Sequence, residues 1–235
     1  MFKMVQTADY HTVCVFDLGN ANVIDLGYND GSFQKDIGNI FKSYSYVAVE
    51  ADPKFKPIGN IILLNRLAAA RSGVHRSFQI EPHGKGSSTA VLHSKHSAET
   101  VTVTTITIQD IYSFAPFSTA DVLKIDIEGS EFEVLDQDTI GFLATNTRQI
   151  CIEFHDWLYP EFSKTRSDII RHFDEAGFHC IKMSITNHGA YLLINKNMSD
   201  YKSVWLLQAQ AGRYFFAFVR LFRRILVFFR KHVVD

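Results

Sequence analysis

The sequence has few cysteines, no motif that pairs them, and no long apolar run ahead of residue 200. Its three cysteines, Cys14, Cys151 and Cys180, are odd in number and widely spaced, which predicts reduced thiols in a cytosolic protein. A membrane-spanning helix needs about 18 consecutive apolar residues, and the first 200 residues contain no such run. The N-terminal residues lack the charged and apolar regions of a secretory signal, so no such signal is expected.

Charge is nearly balanced over the whole chain but unevenly distributed along it. The 235 residues carry a formal net charge of −1, and 46% of them are apolar, which excludes general disorder. Residues 201–235 hold seven basic side chains against one acid, so this segment is +6 and the preceding 200 residues are −7. We therefore divide the chain into an acidic body, residues 1–200, and a basic tail, residues 201–235.

Apolar patterning in the body alternates between the strand and the helix period. Predicted strands span 22–27, 45–50, 101–108, 121–129 and 148–157, and predicted helices span 31–43, 56–71, 130–145 and 163–176. The last two predicted strands, FHCIKMSI and AYLLINK, flank a turn and indicate an antiparallel hairpin. This succession is typical of a doubly wound α/β fold with a mostly parallel sheet.

A glycine-containing loop, DLGYNDG, follows the strand at 22–27. Gly27 and Gly31 permit a sharp turn and close approach of a ligand to the backbone, and Asn29 tolerates left-handed geometry. Glu50 ends the next strand, 23 residues after Gly27. Such folds often place an acid there to bind ribose hydroxyls, and the alternative is a solvated strand end.

The loop lacks the G-x-G-x-x-G pattern of dinucleotide-binding enzymes. Asp25 beside it would repel a pyrophosphate, whereas a carboxylate suits the amine and sulfonium of S-adenosylmethionine. Electrostatics therefore favour a methyl donor as cofactor over a nicotinamide dinucleotide.

Two later strands end in polar residues. Alternation places Lys124, Asp126 and Glu128 on one side of their strand, and Asp126 would face the donor site at the strand's carboxyl end. Glu153 and His155 share one side of the next strand. His155 is the candidate general base, and the alternative is a histidine satisfied within a polar strand end. Asp126, Glu153 and His155 are also suitable metal ligands, but no spacing signature supports a metal site and none is predicted.

These segments resemble the FkbM family of S-adenosylmethionine-dependent methyltransferases. DLGYNDGSF, VAVEADP, TITIQDI, LKIDIEGSEFEVL and ICIEFH occur in the family's order, and the resemblance covers about residues 20–195. It implies a Rossmann-like class I methyltransferase fold with a seven-stranded sheet. It also implies methyl transfer to a hydroxyl oxygen of a sugar, glycan or small metabolite.

The resemblance also assigns roles to individual residues. The implied donor loop consists of Asp25, Gly27, Asn29 and Gly31, with Glu50 on the ribose and Asp126 and Glu128 next to the reacting centre. Family members more often have proline directly after the glutamate, where this chain has Ala51-Asp52-Pro53. Residues 74–90 match the family only loosely, so no adenine contacts are predicted.

A hydroxyl acceptor needs a base, and we expect His155 to serve, oriented by Glu153 or Asp126. The rival hypothesis from another class is a catalytically inactive ligand-binding or membrane-adaptor module with the same fold.

The basic tail predicts an amphipathic helix over residues 203–231. Arg213, Arg220, Arg224 and Lys231 fall on one line of a helical wheel, and six phenylalanines cover much of the rest. This pattern favours an interfacial helix on an anionic membrane, with packing on the body or in a homodimer as the alternative. No nucleic-acid partner is expected. The sequence thus predicts a cytoplasmic protein peripheral to the inner face of a membrane.

Overall fold

The computed structural model describes residues 3–16, 19–80, 99–157, 160–184, 189–198 and 207–219. In chain order the strands and helices are β1 (Lys3–Gln6), β2 (Thr12–Val15), β3 (Asn20–Leu26), α1 (Ser32–Ile40), β4 (Ser43–Val49), β5 (Ile62–Leu64), β6 (Leu67–Ala68), β7 (His75–Ile80), β8 (Glu99–Ile106), α2 (Ile108–Phe114), β9 (Val122–Ile125), α3 (Glu131–Val134), α4 (Gln137–Asn146), β10 (Gln149–Phe154), α5 (Ser163–Glu175), β11 (Phe178–Lys182) and β12 (Gly189–Asn195). A further helix, α6, spans residues 207–219.

A seven-stranded sheet organises the fold, with the spatial order β11-β12-β10-β9-β3-β4-β5. Five consecutive strands of this order are parallel to one another: β10, β9, β3, β4 and β5. Strand β12 is antiparallel to both of its neighbours, β10 and β11. The predicted Rossmann-like fold, with its mostly parallel sheet and antiparallel C-terminal hairpin, is therefore confirmed. Residues 185–188, between the two strands of that hairpin, lie outside the described residues.

Both faces of the sheet are covered, which explains why its strands are continuously apolar. Val23 and Ile24 are adjacent in β3 and fully buried, but they belong to different apolar clusters. Ile24 shares its cluster with residues of α2, α4 and α5, whereas Val23 shares its cluster with residues of α1 and β2. The β1–β2 hairpin, which the sequence analysis does not predict, thus helps to cover one face.

The prediction of a helix over residues 56–71 is wrong, because this range contains the short strands β5 and β6. Gly59 adopts a left-handed backbone conformation, φ 71°, and the apolar residues that follow are consecutive rather than spaced at the helix period. Pairing of β5 with the edge of β4 outweighs any helical tendency there. The helix predicted over 130–145 is two helices, α3 and α4, since the side chain of Asp136 caps a new N-terminus by accepting from Thr139 N.

Helix α6 packs on the β1–β2 hairpin and on β11–β12. Its Ala209 is fully buried in a cluster with Cys14, Ile181 and Leu192. Gly212 lies so close to Met4 that a Cβ atom would meet the Met4 Cε atom. The predicted tail helix is thus present over 207–219, and the rest of the range 203–231 lies outside the described residues. Among the described helices, none is both long and apolar enough to cross a membrane.

The three cysteines are unpaired, as predicted. Cys14 and Cys151 are buried, and Cys180 is half-buried.

Candidate active site

A cleft opens at the carboxyl ends of β3, β4 and β9, where the strand order reverses. Strands β3 and β9 are neighbours in the sheet, but the chain leaves β3 towards β4 on the opposite side. Doubly wound sheets bind their ligands at such a reversal. The cleft is open to solvent. Five predicted site residues line it, namely Gly27, Asn29, Glu50, Asp126 and Glu128.

The glycine loop packs closely against the end of β9, and this packing requires glycine at residue 27. Gly27 has φ 88°, and a Cβ atom there would lie 1.9 Å from the carbonyl oxygen of Asp126. The loop therefore needs glycine so that β9 can end directly beside it. Asn29 is also left-handed, with φ 49°, and Gly31 begins helix α1 with φ 76°.

Glu50 is held rigidly at the edge of the cleft. One carboxylate oxygen accepts from Asn29 N and the other from Asp52 N, each at 2.8 Å. Burial raises the pKa of Glu50, and the two backbone hydrogen bonds oppose that rise. Because each carboxylate oxygen can accept more than one hydrogen bond, Glu50 can still accept from ligand hydroxyls. In the sequence Ala51-Asp52-Pro53, the backbone amide of Asp52 therefore helps to position Glu50.

Asp25 lies below the loop and does not line the cleft. It is completely buried, and one of its oxygens lies 3.0 Å from Lys124 Nζ. Tyr46 Oη donates to the other oxygen at 2.6 Å. The expectation that Asp25 faces a cationic ligand is therefore corrected, since its charge is matched by Lys124 and it has no surface toward the cleft. Asp25 supports the glycine loop through Lys124, which also donates to the carbonyl oxygen of Gly27.

Polar side chains from three parts of the chain meet around Asp126, and we call them the acid–histidine cluster: His11, Asp126, Glu128, Glu153 and His155. His11 Nε2 lies 3.2 Å from Asp126 Oδ2. His155 Nε2 lies 3.3 Å from Glu128 Oε2 and 3.7 Å from Asp126 Oδ1. Ligand atoms of Glu153, His11 and Asp126 lie within 4.8 Å of one another. The three predicted catalytic residues, Asp126, Glu153 and His155, are thus brought together.

His155 is oriented by a residue that the sequence analysis does not assign to this role. Its Nδ1 atom lies 2.9 Å from Glu131 Oε1, so Glu131, rather than Glu153 or Asp126, is its closest carboxylate partner. Burial alone would lower the pKa of His155, but Glu131, Asp126 and Glu128 together raise it to about 10. The neighbouring carboxylates thus favour the protonated imidazole, so the argument from an ordinary histidine pKa does not apply to His155 here, and its role as the base stays a prediction.

A family model described as the methyltransferase FkbM domain matches residues 25–180, a range that includes every residue lining the cleft. The chain belongs to the FkbM methyltransferase family. No curated protein matches it. Among solved structures, it is similar to the Methanococcus jannaschii fibrillarin pre-rRNA processing protein, with 11% identity, a TM-score of 0.45 and 83% of each chain covered. It is also similar to human methyltransferase-like protein 13 in complex with SAH, with 10% identity, a TM-score of 0.43, and 83% of this chain and 82% of that chain covered.

Two contributions to the FkbM site were missed from the sequence. The first is His11, which precedes the matched range and reaches Asp126 only because the β1–β2 hairpin folds over the sheet. A single histidine in a hairpin that was not predicted carries no sequence signal for a functional site. The second is an apolar end of the cleft, formed by Phe55, Leu67 and Phe78. Phe78 lies in the segment that matches the family loosely, which is why no contacts were predicted there.

Proposed function

We propose that this chain is an S-adenosylmethionine-dependent methyltransferase that methylates a hydroxyl of a sugar, glycan or small metabolite. One observation carries the proposal. One cleft joins an apolar end formed by Phe55, Leu67 and Phe78, the carboxylate of Glu50 at the end of β4, and Asp126 and Glu128 of the acid–histidine cluster.

The donor fits this sequence of surfaces. The adenine would lie against Phe55, Leu67 and Phe78, and the ribose hydroxyls would donate to Glu50. The methionine part would then cross Gly27 and bring its positive sulfonium near Asp126, whose carboxylate lines the same cleft. The attraction of a cationic donor thus comes from Asp126 rather than from Asp25.

The acceptor would enter from the acid–histidine cluster. Methyl transfer is an in-line displacement, in which alignment of the acceptor oxygen, the methyl carbon and the sulfur provides most of the acceleration. The hydroxyl proton must leave as the oxygen–carbon bond forms, and a carboxylate of the cluster would accept it. His155 Nε2, 3.7 Å from Asp126 Oδ1 and 3.3 Å from Glu128 Oε2, would hold these two carboxylates in position.

Calorimetry with S-adenosylmethionine, followed by a turnover assay against a panel of sugars, glycans and lipid-linked glycans, tests the proposal. We expect saturable donor binding and formation of S-adenosylhomocysteine with at least one hydroxyl acceptor. A folded chain that does not bind the donor would refute the proposal. Donor binding without turnover on any acceptor would instead favour the inactive ligand-binding module.

We also propose that α6 places the chain at the inner, cytoplasmic face of an anionic membrane. Leu207, Tyr214 and Phe215 project from α6 and are 62–66% exposed, although the helix is anchored by Ala209 on its other side. The tail of which α6 is part carries a charge of +6. An exposed apolar face joined to a basic sequence is complementary to anionic lipid, and a homodimer through the same face is the competing arrangement.

A further inference from the structure

We infer that Asp126, Glu128 and His155 form a binding site for a divalent metal ion at the polar end of the cleft. One ligand atom from each residue lies within 4.8 Å of the other two. His155 Nε2 is 3.3 Å from Glu128 Oε2 and 3.7 Å from Asp126 Oδ1. These separations are close to those of ligands that share one ion, whose bonds are about 2.0–2.2 Å long.

The orientation of His155 is independent evidence for this site. Glu131 is completely buried, and its two oxygens accept from the backbone amides of Ile127 at 3.0 Å and Gly129 at 2.9 Å. The same carboxylate receives His155 Nδ1 at 2.9 Å. A metal ion bound at Nε2 would replace the proton on that nitrogen, while Nδ1 continues to donate to Glu131 and the Nε2 lone pair is directed toward Asp126 and Glu128. Histidines that bind metals usually have such a carboxylate behind them.

The other two ligands leave room for a further molecule. The side chains of Asp126 and Glu128 are 24% and 31% exposed, whereas that of His155 is 4% exposed. Glu128 adopts a left-handed conformation, φ 52°, which is unusual for a residue other than glycine and brings its carboxylate to the cleft. Three protein ligands with an open side are typical of a catalytic rather than a structural metal site.

Mixed nitrogen and oxygen donors suit Mn²⁺, Fe²⁺, Co²⁺ or Zn²⁺. The role of the ion rests on the proposed methyl transfer. It would bind the acceptor hydroxyl and weaken its O–H bond. The proton would pass to Glu153, which has a carboxylate oxygen within 4.8 Å of one of Asp126. The oxygen would then form its bond to the methyl carbon as the carbon–sulfur bond breaks, leaving the neutral thioether.

Metal binding can be measured without activity. We would remove metals from the full chain with a chelator, titrate it with Mn²⁺, and follow free Mn²⁺ by electron paramagnetic resonance, with Zn²⁺ as a competitor. The expected result is one ion per chain. Glu131→Gln should weaken binding about 10- to 100-fold, and Asp126→Asn should weaken it more. Glu133→Gln, on the same helix but paired with Arg76, is the matched control and should bind as the native chain does.

Circular dichroism would establish that each variant is folded. Absence of Mn²⁺ and Zn²⁺ binding in the folded native chain would overturn the inference, as would equal affinity in Glu131→Gln and Glu133→Gln. Donor binding measured by calorimetry in metal-free buffer separates this result from the proposed function. A chain that binds the donor but no metal refutes only the metal site, and a chain that binds metal but no donor refutes only the methyl donor.

Discussion

The ammonium nitrogen of Lys124 lies 3.0 Å from a carboxylate oxygen of Asp25, and both side chains are buried beneath the cleft. Lys124 also donates to the carbonyl oxygen of Gly27 at 2.6 Å and lies 3.8 Å from Asp126. Burial alone would lower the pKa of Lys124, but the charges of Asp25 and Asp126 raise it well above its ordinary value. One lysine therefore connects β3, the glycine loop and the end of β9, so the geometry of the cleft depends on it.

Replacing this lysine should destabilise the whole domain. Lys124→Met leaves the carboxylate of Asp25 buried without its cation, which costs about 3–5 kcal/mol. Urea unfolding would measure the loss. Arg171→Met is the control, because Arg171 pairs with Glu175 at 3.0 Å and both side chains are more than half exposed, and exposed pairs contribute only about 0–1 kcal/mol. Similar losses in the two variants would show that the buried pair has no special importance.

Gly27→Ala should disturb the cleft beyond the cost of backbone strain. Alanine at a left-handed position costs about 1–2 kcal/mol, and at residue 27 its Cβ atom would also meet the Asp126 carbonyl 1.9 Å away. Gly73→Ala separates the two effects, since Gly73 has φ 76° and no atom within 4 Å of the added Cβ. We expect Gly27→Ala to lose clearly more stability than Gly73→Ala in urea unfolding, and to lose donor binding as well. Equal losses would contradict the close packing of loop and strand.

Donor affinity should depend on the ionisation of Glu50. In the proposed donor complex the ionised carboxylate accepts from the ribose hydroxyls and the protonated form would accept poorly, so affinity should fall as the pH drops through the pKa of Glu50. Because burial raises that pKa, the fall should begin at a higher pH than the ordinary value of 4.5 would give. Calorimetry at several pH values would measure it.

Glu50→Gln provides the comparison for this pH dependence. It removes a charge-assisted hydrogen bond and should weaken donor binding about 10- to 100-fold. Its affinity should then be nearly independent of pH over the same interval. A native chain whose donor affinity is as flat as that of the variant would show that Glu50 does not hold the ribose.

The sequence predicts the parts of this site that depend on strand ends and fails where contacts come from distant segments. Gly27, Glu50 and Asp126 follow buried strands, and the rule that parallel strands end at one edge brings them together. His11 and Asp126 are 115 residues apart, and their contact depends on a hairpin with no strong pattern of its own. Strand alternation predicts which face a side chain occupies but not whether that face is buried. The sequence therefore predicts that Asp25 can contact a ligand, whereas in the structure Asp25 is buried and paired with Lys124.

His155→Ala should separate turnover from donor binding. His155 contacts Asp126 and Glu128 at the acceptor end and does not line the donor part of the cleft. We expect kcat to fall about 10- to 100-fold, the effect of losing a hydrogen bond between charged groups, while calorimetric donor affinity changes little. His75→Ala, at the start of β7, is the control and should keep its turnover. Full activity of His155→Ala would show that His155 has no role in turnover.

The exposed face of α6 leads to a prediction about vesicle binding. Full burial of an apolar side chain contributes about 1.5–3 kcal/mol, so Leu207→Ser together with Phe215→Ser should reduce partition onto anionic vesicles about tenfold or more. Phe114→Ser removes a similarly exposed phenylalanine, 55% exposed at the end of α2, and should leave partition unchanged. Raising the salt concentration should weaken binding, because the basic tail contributes through screened charges. Normal vesicle binding by the double variant would contradict the proposed lipid contact of α6. Dissociation of a dimer by the same variant, seen by sedimentation velocity, would instead indicate that α6 contacts a second copy of the chain.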